Sequence, residues 1–587
     1  MQPITESQLK GTFPVFLMEV LFSGRTFRFS TFPVQIANDT STIQFEGGLE
    51  DPDLRETLEE FQDDPESNSL AVEVVFPINL LEYQFKLGQS LENCEVELSM
   101  VFERKGEIQQ SYSERIKLFS GSITQPIIGA PGQPVGYAAF SVERDPKTID
   151  VFPIQEKDKI IDMNYDLIPT APGNIKSTEG LTEGKYYPFV FGRHEGYFGW
   201  NAITRKNVQK QVFSTPAYIV QRRNPNIVLP ESADNDYDVI YLVIAGHPVE
   251  ADEVTVIDWL NHQITKPVWT EKDGNGNLIA FVKFAPYELV GVAKTAKDYP
   301  FASPFQESNP SSEPKYIVKW TSGGGFLNPF GPGVLEGAGD IIKYFLTKTQ
   351  INVDLGAWDN ASSYLNAYKF SGFINDPEVS YYDYILDNLL PFIPVEIVNG
   401  FDGLRPIIPL LFDNLYSKPL ASIELNESFS IQTAIVQKSD SKQICNHISL
   451  LYARDLIDGT YRGSVTLRGD PKIEQTGTNI PNYGLEISYN RFGTREKTIE
   501  AQGCYEFQSA LLMALYVAKK DAFPKLNLEV QANTLFGWLN VGDIIALNSE
   551  EYFWRRLKAQ IVGKKWLRGS WVFNILLEDN PTNLRRL

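Results

Sequence analysis

Three cysteines in 587 residues, Cys94, Cys445 and Cys504, are too few and too scattered for a disulfide framework or a paired-cysteine metal knuckle. Histidine is nearly as scarce. His194, His247, His262 and His447 form no HExxH motif and no pair at ligand spacing, which leaves only a two-histidine metal site assembled in three dimensions. No window approaches 18 consecutive apolar residues, so no membrane-spanning helix is expected. The opening MQPITESQLKGTF lacks a basic region followed by an apolar stretch, so no secretory signal is expected and folding is assigned to a reducing cytoplasm. Positive charge is also in deficit: 53 Lys and Arg face 74 Asp and Glu, a net charge of −21. That balance argues against sequence-independent nucleic-acid binding, which depends on neutralising phosphates. It fits either plain solubility or an acidic face that meets a basic partner. Neither GxSxG nor Gly-Lys-Ser/Thr occurs, and there is no repeat of 20–50 residues.

What remains is a folded, aromatic-rich chain, 43% apolar, 22% charged and 12% aromatic. At about 150 residues per domain it should hold roughly four domains. We expect boundaries at 1–150 (β-barrel-like), 151–330 (β-rich, inserted, with a linker), 331–420 (helical α/β), 421–503 (β-rich) and 504–587 (helix plus β-barrel-like). The fold class is therefore α+β, mainly β. Short runs of period two, such as FPVFLMEVLF (Phe13–Phe22), LAVEVVFP (Leu70–Pro77) and CEVELSMVFER (Cys94–Arg104), predict antiparallel sheet in the first 150 residues. Ser23-Gly24 reads as a hairpin turn. DGNGN (Asp273–Asn277) looks like a calcium loop, but Phe284 stands where a bidentate Glu is required; it reads as a hairpin turn.

The segment Glu46–Ser67 holds ten acidic residues and one basic residue, Arg55. Leu54, Leu58 and Phe61 recur at helical spacing, so it reads as a short surface helix within a loop or as a solvated acidic loop. Ser322–Lys348 places seven glycines before an apolar run, with YIVKW (Tyr316–Trp320) as a strand ahead of it. Strand, glycine loop and helix is the order of a phosphate cradle, yet Glu336 stands where a dinucleotide loop needs its third glycine. The glycines read as a flexible entry to a helical unit, and Asp340 as a residue stabilising the helix dipole. Helices are expected in LEGAGDIIKYFLTKTQ, DNASSYLNAYKF and DPEVSYYDYILDNLLPFIP, and again in Cys504–Phe523, where Phe507, Leu511, Leu515 and Ala518 share a face.

Two charged clusters are the candidate functional residues. The acidic one is Glu46, Glu50, Asp51, Asp53, Glu59, Glu60, Asp63 and Asp64, facing a channel or a neighbouring subunit. The basic one, from WRRLK and KKWLRG, is Arg555, Arg556, Lys564, Lys565 and Arg568, for nucleic acid or an acidic partner. In so acidic a chain, a neighbouring copy is the better partner, attracted head to tail into a ring. No catalytic residue, cofactor or metal ligand is singled out. A glycosidase needs only two carboxylates and aromatic stacking, so a carbohydrate-active or receptor-binding protein is the alternative.

Four places resemble the baseplate or tail-tip hub of tailed phages and related phage-like particles. These are FLMEVLFSGRTFRFST with FEGGL, then YYPFVFGRHEG, and the helical stretch IIKYFLTKTQ to LLPF. The fourth is ISYNRFGTREKTIEA with the helix from Cys504 and WLNVGDIIAL, a "G-x-R" strand, long helix and "GD" turn. The resemblance implies a homotrimer in which two barrel-like domains per chain form a pseudo-sixfold torus. It implies a place at the tail tip of a virion assembled in the host cytoplasm. The implied partners are a tail-tube or distal-tail ring, a fibre or spike, and the tape-measure protein; DNA passes without specific binding. A hexameric distal-tail ring is the second alternative.

Overall fold

The computed structural model describes residues 12–39, 41–57, 69–129, 132–143, 187–201, 206–212, 214–222, 240–257, 261–272, 276–284, 316–321, 323–349, 352–375, 379–400, 403–409, 420–424, 431–438, 444–456, 459–470, 479–481, 483–532, 534–550, 554–567 and 569–578. It is mainly β, as its alternating patterns require.

Strand Phe13–Phe22 shows how the N-terminal part is built. Successive side chains point to opposite faces, so Phe16, Met18 and Val20 enter the main core while Val15 and Leu17 enter a smaller one with Ile36, Phe45 and Val101. The hairpin of Val34–Asn38 and Ser41–Gly47 covers that second face. Ser23 and Gly24 connect Phe13–Phe22 to Arg25–Ser30 with φ of 52° and 71°, the two left-handed residues of a tight hairpin. Helix α1, Leu80–Leu87, starts where Asn79 Oδ1 accepts the N–H of Glu82 and stops at left-handed Gly88.

The largest sheet joins both ends of the chain. Its strand order is Ile431–Lys438, Lys525–Ala532, Ser570–Glu578, Trp554–Leu567, Asp53–Thr57, Ser69–Val75, Tyr137–Glu143, Ile116–Ile128, Glu95–Arg104, Phe13–Phe22, Arg25–Ser30, Ser41–Gly47 and Val34–Asn38. Ile544–Ser549 pairs with Trp554–Leu567 and carries Ala421–Glu424 in parallel. Among the described residues the strands close no barrel. One core serves both ends: Phe16, Leu98 and Phe102 share it with Val530, Trp566, Trp571 and Phe573.

Between them lies a helical core. Helices α2 (Ala338–Thr347), α3 (Leu355–Leu365) and α4 (Tyr381–Asn388) pack with α6 (Phe507–Asp521) and a four-stranded sheet, Asn479–Pro481, Tyr461–Arg468, His447–Arg454 and Glu496–Ala501. The buried face of α6 is wider than its apolar spacing predicts: Ser509, Ala510, Met513 and Ala514 join Phe507 and Ala518, while Leu511 and Leu515 are partly buried. ISYNRF, read as strand, belongs to helix α5 (Tyr483–Phe492); Gly493 ends it at φ 71°, and the strand begins only at Glu496. A seven-stranded sheet built from Ser214–Arg222, Ile240–Ala245, Glu253–Ile257, Gln263–Pro267, Trp269–Lys272, Leu278–Phe284 and Tyr316–Lys319 has its own core. In it Trp269–Lys272 and Leu278–Phe284, which flank DGNGN in the sequence, pair antiparallel; Asp273, Gly274 and Asn275 lie outside the described residues.

Strand Phe189–Phe191 is the seam between these two units. Phe189 and Phe191 enter the helical core, whereas Val190 enters that of the seven-stranded sheet. Gly324 and Gly325 of the glycine-rich stretch lie against it as a fixed contact, not a flexible entry. Gly325 N donates to Gly192 O and Phe326 N to Val190 O. A Cβ on Gly325 would stand 2.3 Å from Val190 O. Only glycine permits that approach.

Candidate functional site

Parts of the two charged segments meet where the N- and C-terminal strands pair, with Asp53–Thr57 beside Lys564 and Lys565. Leu54 is buried on strand Asp53–Thr57, so the helix expected from Leu54, Leu58 and Phe61 does not begin there; Leu58 and Phe61 lie outside the described residues. The cause is alternation. Leu54 and Glu56 turn inward while Asp53 stays exposed, 3.1 Å from Arg55. Glu46, Glu50 and Asp51 are exposed. Glu59, Glu60, Asp63 and Asp64 lie outside the described residues, as does Arg568 of the basic cluster.

Strand Trp554–Leu567 carries the other basic residues. Its antiparallel register with Asp53–Thr57 sets Lys564 beside Glu56 and Lys565 beside Arg55. Lys564 is 2% exposed; its Nζ donates to Gly537 O at 2.7 Å and lies 4.5 Å from the Trp571 ring centroid. Lys565 reaches Glu529 at 3.5 Å. Two of the five basic-cluster residues are thus used within the chain. Arg555 and Arg556 are exposed. The strand register slips opposite Leu547 and Ser549, and Arg556 adopts φ 54° and donates its N–H to Asn548 Oδ1 at 2.6 Å. This bulge turns both arginines away from the sheet.

A third element locks the junction to the helical core. In the "GD" turn, Gly542 N donates to Ile561 O and Asp543 Oδ2 accepts the N–H of Asn540 at 2.7 Å. The hairpin of Glu396–Gly400 and Gly403–Ile407 docks here: Arg405 Nη2 donates to Val541 O at 2.9 Å, and Ile407 fills the space above Gly542. Burial pushes the Asp543 carboxyl above its usual range, against the Asn540 hydrogen bond and the nearby Arg405 and Lys564.

Sequence reasoning missed one polar network. Glu19 and Glu97 are direct cross-strand neighbours, an unfavourable like-charge pair unless countered. Arg28 binds Glu19 at 2.6 Å, and Arg115, 8% exposed, pairs with Glu97 and stacks 3.8 Å from the Tyr112 ring centroid. Burial, followed by its hydrogen bond to Glu19, pushes the Tyr112 phenol up to about 12. The available signal was Glu19, the lone charged residue of the apolar run Phe13–Phe22.

The remaining candidates resolve separately. At the start of α2, Asn366 Oδ1 accepts the N–H of Asp340, whose carboxylate accepts from Asn328, and Glu336 is held by Lys369 at 2.8 Å. Protein groups occupy the position a phosphate would need. Among the described residues no three His, Cys, Asp or Glu side chains gather closely enough to hold a metal ion.

No family model and no curated protein matches the sequence. Among solved structures the chain is similar to the 43 kDa tail protein of prophage MuSo2 from Shewanella oneidensis, with TM-score 0.26 and 11% identity over 64% of this chain and 96% of that one. It is similar to the tail protein from Neisseria meningitidis MC58, with TM-score 0.25 and 12% identity over 67% and 97%. A chain of the native gene transfer agent virion gives TM-score 0.35 and 8% identity over 70% and 89%.

Proposed function

We propose that this chain is a structural component of a phage-like tail, acting as the tail-tip or baseplate hub. The observation that carries this reading is the pairing of Asp53–Thr57 with Trp554–Leu567, which makes one wall from strands at both ends of the chain. A chain built this way supplies two adjoining sheet blocks, so three copies present six blocks to a sixfold ring and three attachment points to a fibre or spike. The exposed Glu46, Glu50, Asp51 and Asp53 then face the channel or the next subunit, where the exposed Arg555 and Arg556 of that subunit are complementary. An acidic channel wall repels DNA and lets it and the tape-measure protein pass, whereas a basic wall would release counterions and hold DNA. The role is mechanical, not catalytic.

Light scattering during size exclusion, with negative-stain imaging, tests it. The expected particle has three times the 66.3 kDa chain mass and six peripheral lobes. A stable monomer or a hexamer refutes the hub.

A further inference from the structure

The seam strand Phe189–Phe191 has a buried histidine on either side. His247 is 5% exposed, and its Nε2 accepts the N–H of Val190 at 3.0 Å. That bond requires an unprotonated Nε2, so Nδ1 carries the proton and donates to Pro248 O at 2.9 Å. The ring lies 5.0 Å from both Phe189 and Phe326.

His194 is fully buried. It stacks on Trp320, from the core of the seven-stranded sheet, with centroids 5.6 Å apart at 25°, and lies 5.9 Å from Tyr505, from the helical core. Among the described residues neither of its ring nitrogens has a hydrogen-bond partner. Other ionisable groups surround the seam. Arg193 reaches Glu250 at 3.6 Å and Glu336 at 3.5 Å, and Lys369 also holds Glu336. Glu195 follows His194, the Tyr505 phenol donates to Arg454 O, and Tyr344 stacks on Phe189. Tyr187 packs beneath Gly246.

We propose that this histidine pair makes the seam acid-labile, so that protonation loosens the seven-stranded sheet from the helical core while each unit keeps its own fold. An imidazolium at position 194 would be a buried charge between aromatic rings. An imidazolium at position 247 would set an N–H against the N–H of Val190. Opening the seam hydrates both. Burial holds the His194 imidazole down at about 3 in the closed state. A depressed value means that the stabilisation is present above the ordinary histidine value of about 6.5 and is lost as pH falls below it. Each histidine that ionises only in the open state raises the opening constant up to about tenfold per pH unit below 6.5. This inference does not depend on the hub reading.

Hydrogen exchange of the full chain, corrected for intrinsic rates, tests it. Between pH 6.5 and 5.5, peptides over 187–194 and 316–326 should gain about fivefold in opening per histidine, roughly thirtyfold for the pair, while 341–346 of α2 stays protected. His194→Phe keeps the stack on Trp320 and cannot ionise, so the pH slope should fall; adding His247→Gln should flatten it. Should the variants fail to fold, carbon-13 histidine spectra of the wild type decide, since the chain has only four imidazoles. Two should remain neutral until the seam exchanges. A seam whose protection ignores pH, variants with the wild-type slope, or both imidazoles titrating near 6.5 while the seam stays closed would each overturn the proposal.

Discussion

Ala453 sits at φ 60° near the end of His447–Arg454, fully buried, between the pairs Tyr452↔Gly463 and Arg454↔Tyr461, whose register is continuous. Its N–H donates to Cys504 O at 2.7 Å, which holds that conformation in place. An alanine in the left-handed region costs about 1–2 kcal/mol relative to a right-handed conformation, a cost glycine avoids. Ala453→Gly should therefore raise the melting temperature, with about 1 kcal/mol gained in scanning calorimetry. The opposite holds at Gly325, where a methyl group meets backbone atoms that cannot yield; Gly325→Ala should cost at least ~2 kcal/mol and lower the melting temperature. Asp543 adds a pH dependence. Its folded-state value lies above the unfolded 3.8, so ionisation at neutral pH opposes folding and the penalty disappears as pH falls through the folded value. Asp543→Asn keeps the acceptor for the Asn540 N–H. It should melt higher than wild type at pH 7, with the gap closing below about pH 4.

At the scale of elements, the junction rests on a short register, Thr57, Glu56 and Arg55 against Gly563, Lys564 and Lys565. Lys564→Met removes a charged hydrogen bond to Gly537 O and should cost about 2 kcal/mol. Combined with Glu56→Gln in a double-mutant cycle, the changes should be non-additive by ~0.5 kcal/mol or more; strict additivity would show that the two register neighbours do not interact. Local patterns made much of the fold readable. Leu70, Val72 and Val74 alternate as a half-buried strand must, Ser23-Gly24 takes the two left-handed conformations a tight hairpin needs, and α2, α3 and α4 follow their apolar spacing. What stayed hidden depended on distant partners. Leu54 looked helical because its strand is held between Ser69–Val75 and Trp554–Leu567, the latter some 500 residues later, where buried Glu56 stands opposite buried Lys564. The seam glycines carry no local mark of close approach, because the backbone they touch belongs to residues 190–192. Of the candidate site, composition revealed the two clusters but not that Lys564 and Lys565 stand in register with Glu56 and Arg55.

Over the whole molecule, the N- and C-terminal strands are halves of one core. A fragment ending at residue 150 loses Val530, Trp566, Trp571 and Phe573, which pack against Phe16, Leu98 and Phe102. Alone it should expose that face and bind a hydrophobic dye, and co-expression with residues 421–587 should restore a soluble, dye-free complex; a well-folded isolated fragment would contradict the shared core.

The rings of Phe16 and Trp566 meet edge to face with centroids 5.0 Å apart, although 550 positions separate them along the chain. At a ribosomal pace of about 5–20 residues per second, the first aromatic waits roughly half a minute to two minutes for the second to be made. During that interval the early strands hold an unfinished apolar surface that invites wrong partners. Completion of this core is thus timed by the synthesis of Trp554–Leu567, and a nascent chain stalled before that strand should be chaperone-bound and prone to aggregate rather than partly assembled.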